Sequence, residues 1–409
     1  MSFKARLCAM LLLLLGGVSQ AAEERVGVRL LSPGRKIIPL EYRQGDWWVS
    51  DIKAPDLVLT NRTEAPVELK YAAVTGLAAG EEVLRAAPSQ VSLSTALARI
   101  NGILNSKHQP LYVLQLAFGA LSLPEGALAE SRVLEPGQSA VLALSKFVYL
   151  HHVGSAKLDG LRVELLVKTA AGEEEAALLV PLSAHPARAG YRYPLDGPVH
   201  MANLSMNYAH HRAMCSQEFA MDVVAADVDK ADSFTDMAAR DEPDEAADYG
   251  IFGRPIRSMG DGVVTETGTK FPDEAMRDPK NFKDPAYFPK LSAELIPKIG
   301  VINTVGGNYV VVDHGNGEFA AYCHMMEGSI RVEPGAKVRK GDVLGRVGNT
   351  GNSDAPHLHF QLMDSKDFLT ANGLPMMFDN VPPSAMSGYT KEANSLALTD
   401  DLYWDAQGK

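Results

Sequence analysis

Cysteine is scarce in this chain of 409 residues, which contains only three, at positions 8, 215 and 323. So few cysteines exclude a small fold built on a disulfide framework. Basic residues are also in the minority, 39 against 50 acidic ones, and this balance argues against nucleic acid as a partner. With 46% hydrophobic and 22% charged residues, the chain is expected to be globular and long enough for two domains, each with its own core.

Long apolar runs are equally rare, and the one clear example lies at the N-terminus, around residues 11–15. Lys4 and Arg6 precede this run, and small residues at 19–21 follow it, so residues 1–21 are predicted to be a secretory signal peptide. The run is short for a membrane span, although an uncleaved anchor is an alternative. We therefore expect a periplasmic or secreted protein with no stable membrane span, and a net charge that changes from −11 to −13 when Lys4 and Arg6 are removed.

Two histidines separated by one residue, His357 and His359, are the most informative feature that is present. They follow a glycine-rich turn at residues 348–352, in a segment with the pattern of a β-strand. Side chains of a strand alternate between its faces, so the two imidazoles should point the same way. Such a pair can share one metal site, with one ring as a ligand and the other beside the reacting water.

The segments before this pair indicate a compact all-β unit. Residues 333–348 alternate short apolar stretches with glycine turns, and residues 307–324 have the pattern of a hairpin whose second strand ends at His324. With these motifs, residues 249–378 resemble the lysostaphin-type (LytM-domain) zinc metallopeptidases, whose members are mostly murein endopeptidases.

This resemblance implies a mainly β domain of the duplicated hybrid motif type, with Zn²⁺ as cofactor and a peptidoglycan peptide or another peptide as substrate. It also implies that Asp222 and His359 are zinc ligands. His324 and His357 match the two family histidines that flank the reacting water, and they are the predicted catalytic residues. An imidazole in that place can accept or donate the proton.

One position departs from the family pattern. Four residues before Asp222, where the family has histidine, this chain has Glu218. A carboxylate can ligate zinc, so one predicted ligand set is Glu218, Asp222 and His359. A second interpretation is that His210 or His211 folds back to replace the missing ligand, and a third is that no zinc binds.

The two cysteines beyond the predicted signal peptide flank these motifs. Cys215 lies three residues before Glu218, and Cys323 precedes His324. A disulfide between them would fit an oxidising compartment, and two separate buried thiols are the alternative. On a regular strand Cys323 should point away from the face of His324, which argues against zinc ligation by the thiol.

The N-terminal half is predicted to be a separate β domain over residues 22–188. Strand, turn and strand patterns recur at residues 57–71, 134–144 and 161–182, which suggests an immunoglobulin-like β-sandwich. One helix is expected over residues 95–104, with Ser92 and Ser94 as candidate caps. This domain shows no catalytic pattern, and it is expected to act as a spacer or to bind a protein partner.

The second domain is assigned to residues 189–380, after a Pro- and Gly-containing linker, and residues 381–409 form a C-terminal tail. An acidic insertion at residues 227–248 is similar to a calcium loop but lacks the required glycine and terminal glutamate, so a solvated loop is predicted. A second insertion, at residues 270–299, is predicted to be a loop that helps to wall a groove above the site.

The sequence therefore predicts an exported zinc metalloendopeptidase that hydrolyses peptide bonds, in peptidoglycan cross-links by resemblance. The alternative is a degenerate, zinc-free domain that binds the cell wall or regulates other hydrolases. A lipoyl or biotinyl carrier domain has similar glycine-spaced strands, but it would need a modifiable lysine where this chain has residues 348–352 without one.

Overall fold

The computed structural model describes residues 25–106, 109–185, 190–204, 210–225, 245–379 and 403–405. The predicted signal peptide, most of the acidic insertion and most of the C-terminal tail lie outside the described residues. The chain divides into two compact units, one of residues 1–114 and 120–184 and one of residues 115–119 and 185–409. Each unit is described by itself.

Eleven strands form the described part of the N-terminal unit. They are β1 (Val26–Leu30), β2 (Leu40–Gln44), β3 (Trp47–Lys53), β4 (Leu57–Asn61), β5 (Val67–Ala78), β6 (Glu81–Ala86), β7 (Val133–Leu134), β8 (Ser139–Leu142), β9 (Tyr149–Gly154), β10 (Gly160–Thr169) and β11 (Gly172–Pro181). They make three sheets, with the orders β1-β4-β8, β2-β3-β9 and β11-β10-β5-β6, and β7 pairs with β5 in the last. The predicted β character is confirmed, whereas the immunoglobulin-like topology stays a prediction.

The core of this unit follows from alternation along its strands. In β10, Leu161, Val163, Leu165 and Val167 are buried, as expected for a strand with one face on the core. The predicted helix exists as α1 (Gln90–Ser106), which is longer than expected. It begins before the predicted caps, because the Ser89 hydroxyl accepts a hydrogen bond from the Ser92 amide at 3.0 Å.

A second helix, α2 (Leu111–Phe118), follows, and its residues from Gln115 onward belong to the C-terminal unit. The strands of the C-terminal unit are β12 (Pro198–Leu204), β13 (Met221–Ala225), β14 (Pro255–Arg257), β15 (Gly262–Gly268), β16 (Asn308–Asp313), β17 (Phe319–Met325), β18 (Lys337–Val338), β19 (Val343–Arg346), β20 (Leu358–Met363), β21 (Gly373–Leu374) and β22 (Tyr403–Asp405). Its further helices are α3 (Pro279–Phe282), α4 (Tyr287–Ile299) and α5 (Val301–Val305).

One large sheet organises the C-terminal unit. Its strand order is β18-β15-β16-β17-β20-β13-β12-β22, with β21 paired to β20, and β14 and β19 form a separate pair. The hairpin predicted for residues 307–324 is β16 and β17, which pair antiparallel. Strand β20 lies between β17 and β13, so the segments that carry the predicted site residues are neighbours in one sheet.

The second insertion is helical rather than a plain loop, which corrects the prediction for residues 270–299. Helix α4 places Tyr287, Leu291, Leu295 and Ile299 four residues apart on one face. These side chains pack against a buried cluster of Ala246, Tyr249, Phe271, Met276 and Phe282. Burial of that face stabilises the helix although Pro297 lies within it.

No helix in the described part of the chain is long and apolar enough to cross a membrane.

Candidate metal centre

Strands β13 and β20 bring Asp222 and His359 directly opposite each other. The antiparallel register pairs these two residues, and both side chains are buried. His359 Nδ1 lies 3.0 Å from Asp222 Oδ1. Sheet pairing therefore joins two residues that are far apart in the chain.

His211 supplies a third donor from a short 3-10 helix, His210–Ala213. Its Nε2 atom lies 3.4 Å from Asp222 Oδ2, and its ring packs edge-on against the ring of His359 at 4.8 Å. The ligand atoms of His211, Asp222 and His359 all lie within 4.8 Å of one another. Donors bound to one tetrahedral Zn²⁺ would be about 3.3–3.4 Å apart, so these three residues fit the metal.

Glu218 is not a member of this group of donors. Its carboxylate lies 3.6 Å from the Arg212 guanidinium, and both side chains are almost fully buried. Arg212 directly follows His211, so one turn of helix places the imidazole beside Asp222 and the guanidinium beside Glu218. The position where the family has its first histidine is thus part of a buried ion pair.

His324 and His357 lie beside the three donors. Their ring centroids are 4.6 Å apart, and His357 Nε2 is 3.4 Å from Asp222 Oδ1. Main-chain carbonyls fix both rings, since His324 Nδ1 donates to Thr350 O at 2.6 Å and His357 Nδ1 to Ala355 O at 2.7 Å. Both rings therefore have Nε2 free of these bonds.

His324 has a left-handed backbone, with φ of 58°, although it is not a glycine. Such a conformation costs about 1–2 kcal/mol for an ordinary residue. The Gly306 carbonyl accepts the His324 amide at 3.0 Å, and the Gly348 amide donates to the His324 carbonyl at 2.9 Å. These bonds hold the residue in place at the end of β17.

This bend also overturns the expectation for Cys323. Regular alternation would turn Cys323 away from the side of His324, but both residues line the same cavity. Alternation holds only while the backbone stays extended, and it ends at His324. Cys323 is nevertheless not part of the group of metal donors.

Of the two interpretations that the sequence left open for the cysteines, the disulfide is not formed, because Cys215 and Cys323 are both buried free thiols. Cys215 Sγ is directed to Ala117 O, at 3.6 Å, whereas Cys323 faces the cavity. Burial, and to a smaller extent the charge of Asp222, raises the pKa of the Cys323 thiol far above its ordinary value. The alternative of two separate buried thiols is thereby confirmed.

The ionisable groups of the centre shift one another's pKa values. Burial raises the pKa of Asp222, but the neighbouring His357 and His211 lower it by more, so this pKa lies well below its usual value. Burial lowers the pKa of His357, and Asp222 more than offsets that and leaves it raised. Burial and the nearby His357 and His359 hold the pKa of His324 well below its ordinary value. At neutral pH Asp222 is therefore ionised and His324 is neutral.

A cavity of about 290 Å³ opens over these groups. One part is apolar and the other carries the imidazoles and the carboxylate. The lining residues are Leu116, His211, Met214, Gln217, Asp222, Val301, Ile302, Val305, Gly306, Cys323, His324, Asn352, Asp354, His357, His359, Gln361 and Phe368. Four of the five predicted site residues thus surround one cavity, and Glu218 does not line it.

Sequence reasoning missed three residues around this site. Gln361 could have been found, since it lies two residues after His359 on the same face of β20. Arg212 carried a weaker signal, as a cation next to a candidate ligand. Leu116 carried none, because its place in the cavity depends on hydrogen bonds from the Cys215 amide and thiol to α2.

Three buried donors, with two further imidazoles beside them, place this unit in the class of proteins with a candidate mononuclear metal centre. Residues 295–371 match the model of Peptidase family M23. The resemblance to the lysostaphin-type peptidases is thereby confirmed over this segment. The matched residues include His324, His357 and His359.

Curated relatives agree with this assignment over limited lengths. The chain is 46% identical over 128 residues to the peptidoglycan DD-endopeptidase ShyA of Vibrio cholerae. The aligned residues cover 31% of this chain and 22% of ShyA. It is 32% identical over 116 residues to lysostaphin of Staphylococcus staphylolyticus, and this alignment covers 28% of this chain and 22% of lysostaphin. The chain thus spans about a fifth of the length of these relatives.

Proposed function

We propose that the protein is an exported zinc metalloendopeptidase that hydrolyses peptide bonds in peptidoglycan cross-links. Zinc would be held by His211, Asp222 and His359, with His324 and His357 as catalytic residues. The observation that carries this proposal is the group of three buried donors, whose ligand atoms all lie within 4.8 Å of one another, beside two imidazoles on one cavity. The family match and the named activity of ShyA support the reaction and the substrate class.

Three protein ligands are typical of catalytic zinc, which would supply Lewis acidity for the scissile carbonyl. His324 and His357 would exchange the proton with the reacting groups through Nε2, since their Nδ1 atoms are bonded to main-chain carbonyls. The apolar part of the cavity, with Ile302 and Phe368 among its residues, would hold substrate side chains and exclude water.

The other parts of the proposal follow the sequence. The signal peptide at residues 1–21 would direct the chain to the periplasm or outside the cell, where peptidoglycan is available. The C-terminal unit would have the duplicated hybrid motif fold. The N-terminal unit, an immunoglobulin-like sandwich in this proposal, would hold the peptidase at its substrate or bind a protein partner.

The test combines metal analysis with a digestion assay on the purified mature protein. After dialysis against metal-free buffer, we expect about one zinc per chain by elemental analysis. Purified peptidoglycan should lose cross-links, and new amino groups should appear at a rate that falls when a chelator is added. His324→Ala serves as the control that keeps the ligands and lacks a catalytic imidazole.

The competing function is that of a zinc-free module that binds the cell wall or regulates other hydrolases. The glutamate at position 218, where the family has a zinc-binding histidine, favours this alternative. It predicts no retained zinc and no loss of cross-links. The folded protein would still sediment with insoluble peptidoglycan. That combination of results would reject the peptidase.

A further inference from the structure

Gln361 contacts the far side of the imidazole of His359. The two residues are on the same face of β20, and the Gln361 side chain is almost fully buried. Gln361 Oε1 lies 2.7 Å from His359 Nε2. The other ring nitrogen, Nδ1, faces Asp222 at 3.0 Å. Gln361 therefore contacts the ring nitrogen that does not face the donor group.

The surroundings determine which way the amide of Gln361 points. Its Nε2 atom lies 3.3 Å from the Ser216 carbonyl oxygen and 2.8 Å from Met363 Sδ. A carbonyl oxygen only accepts hydrogen bonds, so the NH₂ group must face Ser216 and Oε1 must face His359. An amide oxygen also only accepts, and His359 Nε2 must then carry a proton. In the neutral ring, Nδ1 is left with its lone pair toward Asp222.

The Ser216 carbonyl is itself held in place. The Ser216 hydroxyl donates to Phe368 O at 2.5 Å, and the preceding carbonyl of Cys215 accepts the Gly373 amide at 2.9 Å. A Cβ atom on Gly373 would lie 3.0 Å from Ser216 O, so the two segments are in close contact. The acceptor that orients Gln361 is thus fixed by the main chain.

His359 differs in this respect from its two neighbours. His324 and His357 are fixed through Nδ1 by main-chain carbonyls, and they present Nε2. His359 is fixed through Nε2, and it presents Nδ1. Among these three rings, His359 is the one whose proton is placed by a side chain, and a single substitution can remove that control.

The carboxylate of Asp222 is the reason why the position of the His359 proton has to be fixed. Its Oδ1 atom is 3.0 Å from His359 Nδ1, a distance at which the carboxylate would accept a hydrogen bond from a protonated Nδ1. Without an acceptor at Nε2, the neutral ring would be stabilised with its proton on Nδ1. A protonated Nδ1 cannot ligate a metal.

We propose that Gln361 is a positioning residue that keeps the proton of His359 on Nε2 and so leaves Nδ1 available as a metal donor. The metal part of this inference rests on the proposed function, whereas the part that concerns the ring proton does not. Outer partners of ligating histidines commonly change metal affinity by about 10–100-fold.

The test compares Gln361→Met with Gln361→Glu in the full mature chain. Methionine has a similar length and lacks a strong acceptor, whereas glutamate keeps an acceptor toward His359. Selective ¹⁵N labelling of histidine rings reports which nitrogen of His359 carries the proton in metal-free protein at neutral pH, with His359→Gln used for assignment. Competition with a chromophoric chelator reports zinc affinity.

We expect the wild type and Gln361→Glu to show a protonated Nε2 and zinc affinities that agree within about threefold. Gln361→Met should move the neutral proton to Nδ1 and weaken zinc binding by about 10–100-fold. A methionine variant that keeps the proton on Nε2 and binds zinc as the wild type does would overturn the proposal. The wild type alone can also reject it, if its neutral His359 carries the proton on Nδ1.

The two hypotheses fail in different ways. A wild-type chain that takes up no zinc would reject the proposed function, and the ring spectra would still decide the role of Gln361. A wild-type chain that binds zinc, with a methionine variant of equal affinity and unchanged spectra, would reject the role of Gln361 and leave the peptidase proposal standing.

Discussion

Neighbouring residues on one short helical turn, His211 and Arg212, contact two carboxylates with different consequences. His211 faces Asp222 among the candidate ligands, and Arg212 neutralises Glu218 outside that group. A glutamate at position 218 therefore need not abolish the metal centre. The two candidate ligands, His211 and Glu218, can therefore be tested by two substitutions for which opposite results are expected.

His211→Ala should lose its zinc and keep its fold, because one of three donors is removed. Glu218→Gln should keep its zinc but lower the free energy of unfolding by about 3 kcal/mol, since the buried Arg212 loses its anionic contact. Elemental analysis and urea denaturation measure the two effects. Zinc lost from Glu218→Gln and retained by His211→Ala would instead make Glu218 the ligand.

His324→Ala and His357→Ala should each lower the rate of cross-link hydrolysis by about 100-fold or more, because each removes an imidazole that would exchange a proton in the proposed reaction. Both variants should retain zinc, since neither residue belongs to the donor group. Cross-link hydrolysis and bound zinc are measured on the same preparations. Loss of metal from either variant would show that the residue is a ligand.

At this scale the sequence predicted much of the site. Asp222, His324, His357 and His359 were predicted together, and the structure brings them to one cavity. Sequence spacing could not choose between His210, His211 and Glu218, because the choice depends on how a short helix packs against β20. Packing of this kind leaves no periodic pattern in the chain.

Among the structural elements, the start of β16 and the turn that contains Thr350 approach each other unusually closely. Gly307 has φ of +67°, and a Cβ atom there would lie 2.3 Å from the Thr350 carbonyl oxygen. That oxygen accepts the hydrogen bond from His324 Nδ1. The absence of a side chain at Gly307 therefore leaves room for the carbonyl that holds the His324 ring.

Gly307→Ala should displace the turn, loosen His324 and lower both stability and peptidase rate. Gly315→Ala is the matched control, because Gly315 also has a positive φ, of +79°, but nothing lies within 4 Å of the added atom. The control should show only the backbone cost of about 1–2 kcal/mol and a nearly unchanged rate. Equal losses of rate in both variants would argue against the role of the Thr350 contact.

The two thiols make a prediction that concerns the elements bearing them, the turn at Cys215 and strand β17. Unfolded protein without reductant should be alkylated at both Cys215 and Cys323, because neither is in a disulfide. Mass spectrometry of the labelled chain counts the modified residues. Modification that requires prior reduction would show that the mature protein forms the bridge.

Elements with simple periodicity were predicted well, and elements stabilised by distant contacts were not. The β16–β17 hairpin followed from apolar strands around an Asn-Gly turn. Helix α4 was missed, because its prolines and charges obscured a face that packs against distant residues, Tyr249, Phe271 and Phe282 among them. The break in alternation at His324 depends on hydrogen bonds to Gly306 and Gly348, which a local pattern does not reveal.

For the molecule as a whole, zinc should act as a stabilising ligand. A ligand that binds only the folded state stabilises it by about 2.7 kcal/mol at 100 times its dissociation constant. Removal of zinc with a chelator should therefore lower the melting temperature of the protein, and added zinc should restore it. Scanning calorimetry measures both, and His211→Ala is the control that should not respond. An equal response from this variant would contradict the proposed ligand set.

The helical origin of His211 affects how relatives of this protein would be classified. The residue lies eleven positions before Asp222, and its ring is held by packing against His359 rather than by a fixed strand spacing. The family match covers residues 295–371 and so omits both His211 and Asp222. A search for histidine four residues before the aspartate would record a missing ligand in this chain, although His211 lies within the group of candidate metal donors.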